Sequence, residues 1–372
     1  MQSKVKILPA AGLFFALAAL LGQQPASQVP MYKDRHNLLV YLDDSGTSHP
    51  VRTVSEWEIR RGHIIDSLQL VMGPLPEPEN SPLDLQILAT EELPRVRRQK
   101  ISFRSTGDDR VPAFLLTPRE LPPGAKVPAI LCLHQTTSIG KEEPAGLGGK
   151  PNLHYALELA ERGYVTMAPD YPNFGDYKFD PYAHGFASAT MKAIFNHRRA
   201  IDLLQSLPEV DPDRIAVIGH SLGGHNSLFL AAFDPRIKAA VTSCGFTSFP
   251  KYMKGNLAGW SHKGYMPRIA EIYGNDPARM PFDFTELLAT LAPRPVFINA
   301  PVADDNFDVS GVRDCVAAAL VVYRKIYRAG QNLQAIYPAG GHDFPPQARR
   351  AAYEFLAASL KYQAGAKPVQ VR

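Results

Sequence analysis

The motif Gly219-x-Ser221-x-Gly223 is the feature that most constrains the fold of this chain. An apolar β-branched run, Ile215 to Ile218, stops just before the motif, and an apolar helical pattern starts at Leu222, so the motif lies at a strand-to-helix turn. Glycines two positions before and after a serine let the strand and the helix approach closely and hold the serine in a strained, exposed position. The context predicts a nucleophile elbow with Ser221 as the nucleophile, although the motif alone also fits an ordinary glycine-rich turn.

Strands and helices alternate from Gln99 onward, which is typical of a mostly parallel sheet with helices on its faces. We therefore predict an α/β fold. The predicted strands cover residues 101–104, 111–117, 127–133, 164–169, 215–218, 237–243, 294–300 and 333–337. Besides the helix after Ser221, the predicted helices cover residues 153–162, 187–207, 310–328 and 346–361.

A serine hydroxyl becomes a strong nucleophile only beside a base, and the base needs a third group that holds its tautomer and orientation. After Ser221, the strand at 296–300 runs into a turn with two adjacent carboxylates, Asp304 and Asp305. The last predicted strand runs into a glycine-rich loop that carries His342. The residues alone thus offer His342 as the base and either aspartate as the acid.

The chain from about Gln99 to Lys361 resembles the α/β-hydrolase superfamily. Its segments Gly219–Gly224 and Ala339–Asp343 are similar to those of the branch that holds dienelactone hydrolases, acetyl xylan esterases and prolyl oligopeptidase-like proteins. The resemblance implies the α/β-hydrolase fold, with a mostly parallel central sheet flanked by helices, and a triad of Ser221, Asp304 and His342. Asp304 is preferred because Asp304-x-x-Phe307 resembles the family pattern of an aspartate, two residues and an apolar residue.

The resemblance also implies two backbone N–H donors for an oxyanion. One is Leu222, and the other is Thr136, in the loop after the 127–133 strand, which departs from the family pattern by having Gln135 where glycine is usual. Four further residues are candidates for substrate binding: His134, Gln135, His220 and Trp260. No cofactor or metal is expected, since the remaining histidines lack metal-ligand spacing.

The chain is predicted to have three parts. Residues 1–24 have the pattern of a secretory signal, because Lys4 and Lys6 precede an uncharged apolar stretch that is short for a membrane span; an uncleaved anchor is the alternative. An N-terminal helical extension at 25–98 and a catalytic domain at 99–372 follow. The extension has one amphipathic segment, Val54 to Met72, and we expect Trp57 to pack on the main domain rather than to reach a substrate.

Two further features bear on the organisation of the chain. The alternation of strands and helices breaks at about 246–293, where aromatic residues accumulate, and this lid-like insertion is either a pocket wall or extra packing. The three cysteines, Cys132, Cys244 and Cys315, lie in apolar strand and helix patterns and are expected to be buried free thiols.

The predicted function is that of an exported serine hydrolase, periplasmic or secreted, that cleaves carboxylic esters, including acyl groups on carbohydrate. Its partner would be a small-molecule or carbohydrate ester, and no stable membrane span would remain after signal cleavage. The balance of 40 basic and 36 acidic residues gives no nucleic-acid footprint. An oligopeptidase-type serine peptidase and a lactonase are the alternatives, and the intact Ser-Asp-His set argues against a non-catalytic protein.

Overall fold

A computed structural model describes residues 29–362, so the predicted signal at 1–24 lies outside the described residues. The strands are β1 (Val40–Leu42), β2 (Ser48–Pro50), β3 (Gln86–Glu92), β4 (Val96–Arg104), β5 (Arg110–Pro118), β6 (Val127–Leu133), β7 (Val165–Pro169), β8 (Val210–His220), β9 (Ile237–Ser243), β10 (Val296–Asn299) and β11 (Leu333–Ile336). The helices are α1 (Val54–Met72), α2 (Tyr155–Ala160), α3 (Ala189–Ser206), α4 (Leu222–Phe233), α5 (Arg268–Glu271), α6 (Phe284–Thr290), α7 (Val309–Lys325) and α8 (Pro346–Ser359).

Nine strands form one sheet in the order β11-β10-β9-β8-β6-β7-β5-β4-β3. The six strands from β11 to β7 pair in parallel, and β5, β4 and β3 continue the sheet as antiparallel strands. Parallel strands end at the same edge, so the loops after β6, β8, β9, β10 and β11 meet there. The predicted α/β class and the mostly parallel sheet are confirmed.

Both faces of the sheet are covered. In β8, Ile215 and Val217 belong to one buried apolar cluster, whereas Ala216 and Ile218 belong to another, as the two-residue period of a strand requires. The first cluster contains residues of α1, α3, α4, α6 and α7, and the second contains residues of α2 and α8. Because helices cover both faces, solvent reaches the central strands only at the loops that follow their ends.

The N-terminal extension differs from the prediction in one respect. It contains α1 as expected, but it also contains β3, which pairs with β4, and the boundary predicted at residue 98 falls inside β4. The sheet therefore begins at Gln86 rather than after Gln99. Every residue of β3 is exposed, so the strand lacks the apolar pattern by which a buried strand is recognised.

Helix α1 is held against the main domain by a buried ion pair. The Arg60 Nη2 atom lies 2.5 Å from Glu286 Oε1 of α6, and the two side chains are 1% and 2% exposed. Trp57 of the same helix is fully buried. The expectation that Trp57 packs rather than faces a substrate is confirmed.

The insertion between β9 and β10 is part core. Its C-terminal portion forms α6, in which all seven residues are buried, so extra packing is the correct description there. Its earlier portion contains short turns and α5 and reaches the sheet edge, as described below. Cys132, Cys244 and Cys315 are buried free cysteines, as predicted. None of the helices between residues 29 and 362 is both long and apolar enough to cross a lipid bilayer.

Replacing Arg60 by alanine should destabilise the fold by about 3–5 kcal/mol, because the variant removes the hydrogen-bonded partner of the buried Glu286 carboxylate and leaves only Arg35, whose Nε lies 3.9 Å away. Urea unfolding of the purified protein measures this change. The control is Arg97→Ala, which removes an ion pair to Glu92 whose side chains are 53% and 43% exposed. That loss should cost no more than about 1 kcal/mol, and equal losses for the two variants would contradict a structural role for the buried pair.

Candidate active site

Ser221 lies between the end of β8 and the start of α4 in a left-handed backbone conformation, with φ 52° and ψ −116°. A non-glycine residue at positive φ is strained and persists only when its surroundings fix it. Here the Ser221 N–H donates to the Ser243 carbonyl at 2.9 Å, and its own carbonyl accepts from the N–H groups of Gly224 and His225. The predicted sharp turn is therefore present, with Ser221 partly exposed at its apex.

The two glycines of the motif are required by packing. A Cβ atom on Gly223 would collide with the carbonyl oxygen of Leu133, at the end of β6, and one on Gly219 would collide with the backbone of Gly223. Any larger residue would push α4 away from the sheet edge. The motif thus brings the first turn of α4 and the end of β6 into contact.

His342 and Asp304 meet at the same edge. The His342 Nδ1 atom lies 3.0 Å from both carboxylate oxygens of Asp304, whose side chain is 2% exposed, against 20% for His342. The N–H groups of Asn306 and Phe307 also donate to this carboxylate, at 2.9 and 3.1 Å. Asp305 is exposed and is not the partner of His342. The structure thus pairs the histidine with the aspartate that the resemblance preferred.

The surroundings of Asp304 keep it ionised. Burial by itself raises the pKa of this carboxyl, but the hydrogen bond from His342, its positive charge when protonated, and the two backbone N–H groups outweigh burial and lower the pKa below its usual value. Asp304 is therefore negatively charged over the neutral range. Because the Asp304 carboxylate binds Nδ1, Nε2 is the nitrogen of His342 that is left to exchange a proton with a reacting group.

The Ser221 hydroxyl is the least constrained member of the predicted triad. Within residues 29–362, no hydrogen bond joins Ser221 Oγ to His342. Such contacts are often long in ligand-free enzymes and shorten when substrate binds. The structure thus fixes His342 on Asp304 and fixes the backbone of Ser221, while the contact between the two halves stays a prediction.

A polar network that the sequence analysis missed supports the loop of His342. The Asn299 Nδ2 group, at the end of β10, donates to Ser243 Oγ at 2.9 Å and to the Asp343 carbonyl at 3.1 Å. The Asp343 carboxylate accepts from Asn152 Nδ2 at 2.6 Å. The available signal was a polar residue at the end of each buried apolar strand, β9 and β10.

The two predicted oxyanion donors occupy suitable elements. Leu222 is the first residue of α4, so its N–H has no acceptor within the helix. Thr136 is exposed in the loop after β6, and its hydroxyl lies 2.5 Å from the Tyr265 hydroxyl of the insertion. This contact joins the insertion to the β6 loop across the sheet edge. The donor roles of Leu222 and Thr136 stay predictions.

Comparisons with known proteins agree with this architecture. A family model described as "Glucuronyl esterase, fungi" matches residues 176–327, less than half of the chain. The chain is 27% identical over 295 residues to the putative hydrolase YtaP of Bacillus subtilis (strain 168), covering 75% of this chain and 93% of that protein.

Two solved structures of esterases share the fold. A glucuronoyl esterase from Solibacter usitatus superposes with a TM-score of 0.66 and 18% identity, over 91% of this chain and 99% of that chain. Acetyl xylan esterase 1 from Thermoanaerobacterium sp. JW/SL YS485 superposes with a TM-score of 0.52 and 18% identity, over 79% and 98%. The chain is an α/β-hydrolase. The comparisons together support an ester-cleaving hydrolase of the carboxylesterase type.

The four substrate-binding candidates of this α/β-hydrolase stay predictions, and their side chains are buried or already hydrogen-bonded. His134 Nδ1 donates to the Gln135 carbonyl at 2.6 Å, and its Nε2 accepts from the Tyr171 N–H at 2.9 Å. Gln135 donates its side-chain amide to Glu143 at 3.0 Å. His220 is fully buried, and Trp260 is 2% exposed within an aromatic cluster. Their role in substrate binding stays a prediction.

A large cavity of the α/β-hydrolase lies away from these residues. It has a volume of about 1260 Å³ and is lined by the proline-rich segment after α1, the β4–β5 turn and residues 176–187. Ser221, Asp304 and His342 are not among its lining residues. The chemistry proposed below therefore rests on the arrangement at the elbow and not on this cavity.

Asp304→Asn should lower kcat for p-nitrophenyl acetate by about 10³–10⁴-fold, because an amide cannot hold the required tautomer of His342 or stabilise its protonated form. The neighbouring exposed carboxylate supplies a matched control. Asp305→Asn should keep kcat within about twofold, since it leaves the His342 contact intact. A similar loss in both variants would show that the pairing with Asp304 is not what supports activity.

Acid should destabilise this α/β-hydrolase below about pH 6.5 through its buried histidines. Burial lowers the pKa of His225 to about 3, so between pH 3 and 6.5 the unfolded chain binds a proton that the folded chain does not. Stability therefore falls as pH falls, by up to about 1.4 kcal/mol per pH unit for this residue. His225→Phe should remove that contribution from the slope of unfolding free energy against pH between 5 and 7.

Proposed function

We propose that this α/β-hydrolase is an exported serine esterase that cleaves carbohydrate esters through Ser221, His342 and Asp304. The observation that carries the proposal is the placement of His342. Its Nδ1 is held by a buried, ionised carboxylate at the sheet edge where the strained turn presents Ser221. A base with a fixed tautomer beside an activated serine is the arrangement that acyl transfer requires.

The proposed reaction has two stages. His342 Nε2 takes the proton of Ser221 as Oγ attacks the ester carbonyl carbon, and it then gives that proton to the departing alcohol. Water, deprotonated by the same nitrogen, next attacks the acyl-serine carbonyl carbon. As the bond to Ser221 Oγ breaks, His342 returns the proton to that oxygen and the acid is released. The N–H groups of Leu222 and Thr136 would bind the oxyanion in both stages, and loss of one such donor typically costs about 3–4 kcal/mol.

The substrate class rests on the relatives. The matching family model is described by its glucuronyl esterase activity, and the similar structures include an acetyl xylan esterase. These names suggest two kinds of ester, one with a sugar acid on the acyl side and one with a sugar on the alcohol side. Export rests on the signal pattern of residues 1–24, and the recovery of a shortened chain from the periplasm or medium would test it.

The test is a substrate panel with wild type and Ser221→Ala. It contains p-nitrophenyl esters from acetyl to decanoyl, acetylated xylan, a methyl ester of glucuronic acid, a lactone and an aminoacyl p-nitroanilide. Wild type should hydrolyse at least one carbohydrate ester, and Ser221→Ala should lose at least about 10³-fold of each ester activity. Ser45→Ala, at an exposed serine of the extension, serves as the control.

The panel also separates the alternatives. Greater activity on the anilide than on any ester would replace the esterase proposal by a peptidase. Activity confined to the lactone would identify a lactonase. Equal rates for wild type and Ser221→Ala would show that Ser221 is not the nucleophile.

A further inference from the structure

Three potential metal ligands meet beside the proposed triad. His220 ends β8, Cys244 directly follows β9, and His342 lies in the loop after β11. One ligand atom from each of these side chains lies within 4.8 Å of the other two. The three residues are far apart along the chain, so their grouping depends on the common edge of the parallel sheet.

His220 contributes an imidazole nitrogen with no partner. Its side chain is fully buried, and Nε2 has no hydrogen bond within the described part of the chain. Its Nδ1 lies 2.9 Å from Ser243 Oγ, and that hydroxyl is directed at Cys244 Sγ, 3.9 Å away. With Nδ1–H donating to the Ser243 hydroxyl, the lone pair of His220 lies on Nε2.

The local environment favours the ligand form of this histidine. Its ring centre lies 4.8 Å from that of His342. A hydrogen bond on the second nitrogen is the usual way in which a protein orients a metal-binding histidine, and Ser243 supplies it here.

We propose that His220, Cys244 and His342 form an inhibitory site for Zn²⁺. Two imidazole nitrogens and one thiolate are preferred ligands of zinc, at about 2.0–2.1 Å for nitrogen and about 2.3 Å for sulfur. Ligand atoms around a tetrahedral zinc ion lie roughly 3.3–3.7 Å apart, so the three atoms need to approach by about 1 Å. His342 is 20% exposed and gives the ion its route from solvent.

Zinc at this site blocks the proposed reaction by occupying His342. Nδ1 of this residue binds Asp304, and Nε2 is needed to take the proton of Ser221. Coordination of the ion by either nitrogen therefore stops His342 from acting as the base. Cys244 loses its thiol proton to solvent on binding, and the oxidation state of the metal does not change. The site thus goes beyond the proposed esterase function, and only its inhibitory effect rests on that function.

The test uses Co²⁺ as a spectroscopic substitute for Zn²⁺ on the full-length protein, freed of metal by chelation. One equivalent of Co²⁺ should produce a thiolate-to-cobalt charge-transfer band, which Zn²⁺ should abolish by competition. Cys244→Ala should lose the band, whereas Cys315→Ala, at a buried cysteine in α7, should keep it. His220→Asn, which can still donate to Ser243, should weaken Co²⁺ binding at least about tenfold.

The outcomes separate the metal site from the esterase. A missing band in wild type, or a band that persists in Cys244→Ala, would overturn the site. A band with unchanged ester hydrolysis in the presence of saturating Zn²⁺ would overturn its inhibitory role. A band in a protein that hydrolyses no ester would leave the site in place and contradict the proposed function. Unfolding curves for each variant identify those that fail to fold. Where a variant fails to fold, the wild-type protein supplies the test, and ester hydrolysis that Zn²⁺ does not inhibit would contradict the inhibitory site.

Discussion

The left-handed backbone at Ser221 is the constraint on which the site depends. It reverses the chain between β8 and α4 within one residue, and this is compatible with the sheet only because Gly223 lies against the Leu133 carbonyl at the end of β6. β6 and β8 are paired neighbours, with Leu133 opposite Gly219. The direction of α4, the position of the Leu222 N–H at its first residue and the position of the serine therefore follow from one local geometry.

The rest of the site is assembled from polar groups at the ends of buried strands. Burial of such groups is costly unless each finds a hydrogen-bond partner. Asn299 links Ser243 of β9 to the backbone of the His342 loop, and Asp304 is held by two N–H groups of its own turn. The hydrogen bonds that offset burial are thus the same ones that orient His342.

The sequence predicted the parts of the structure that are encoded locally. The elbow depends on glycines two positions from Ser221, and α1 agrees with its amphipathic pattern at both ends. Parts that depend on contacts distant in sequence were not predicted. β3 is exposed along its whole length at the edge of the sheet, so its apolar residues do not alternate with polar ones as in a half-buried strand. The burial of His220 and Trp260 follows from neighbours that the sequence does not reveal. The grouping of Asn299 with Asp343 likewise requires the order of the strands.

The ion pair between Arg60 and Glu286 makes the N-terminal extension inseparable from the hydrolase core. Glu286 lies in the insertion between β9 and β10, so the extension and the insertion share one buried ion pair. Neither segment can be exchanged alone between related proteins without leaving a charge in an apolar interior. A change at one of the two positions therefore requires a matching change at the other.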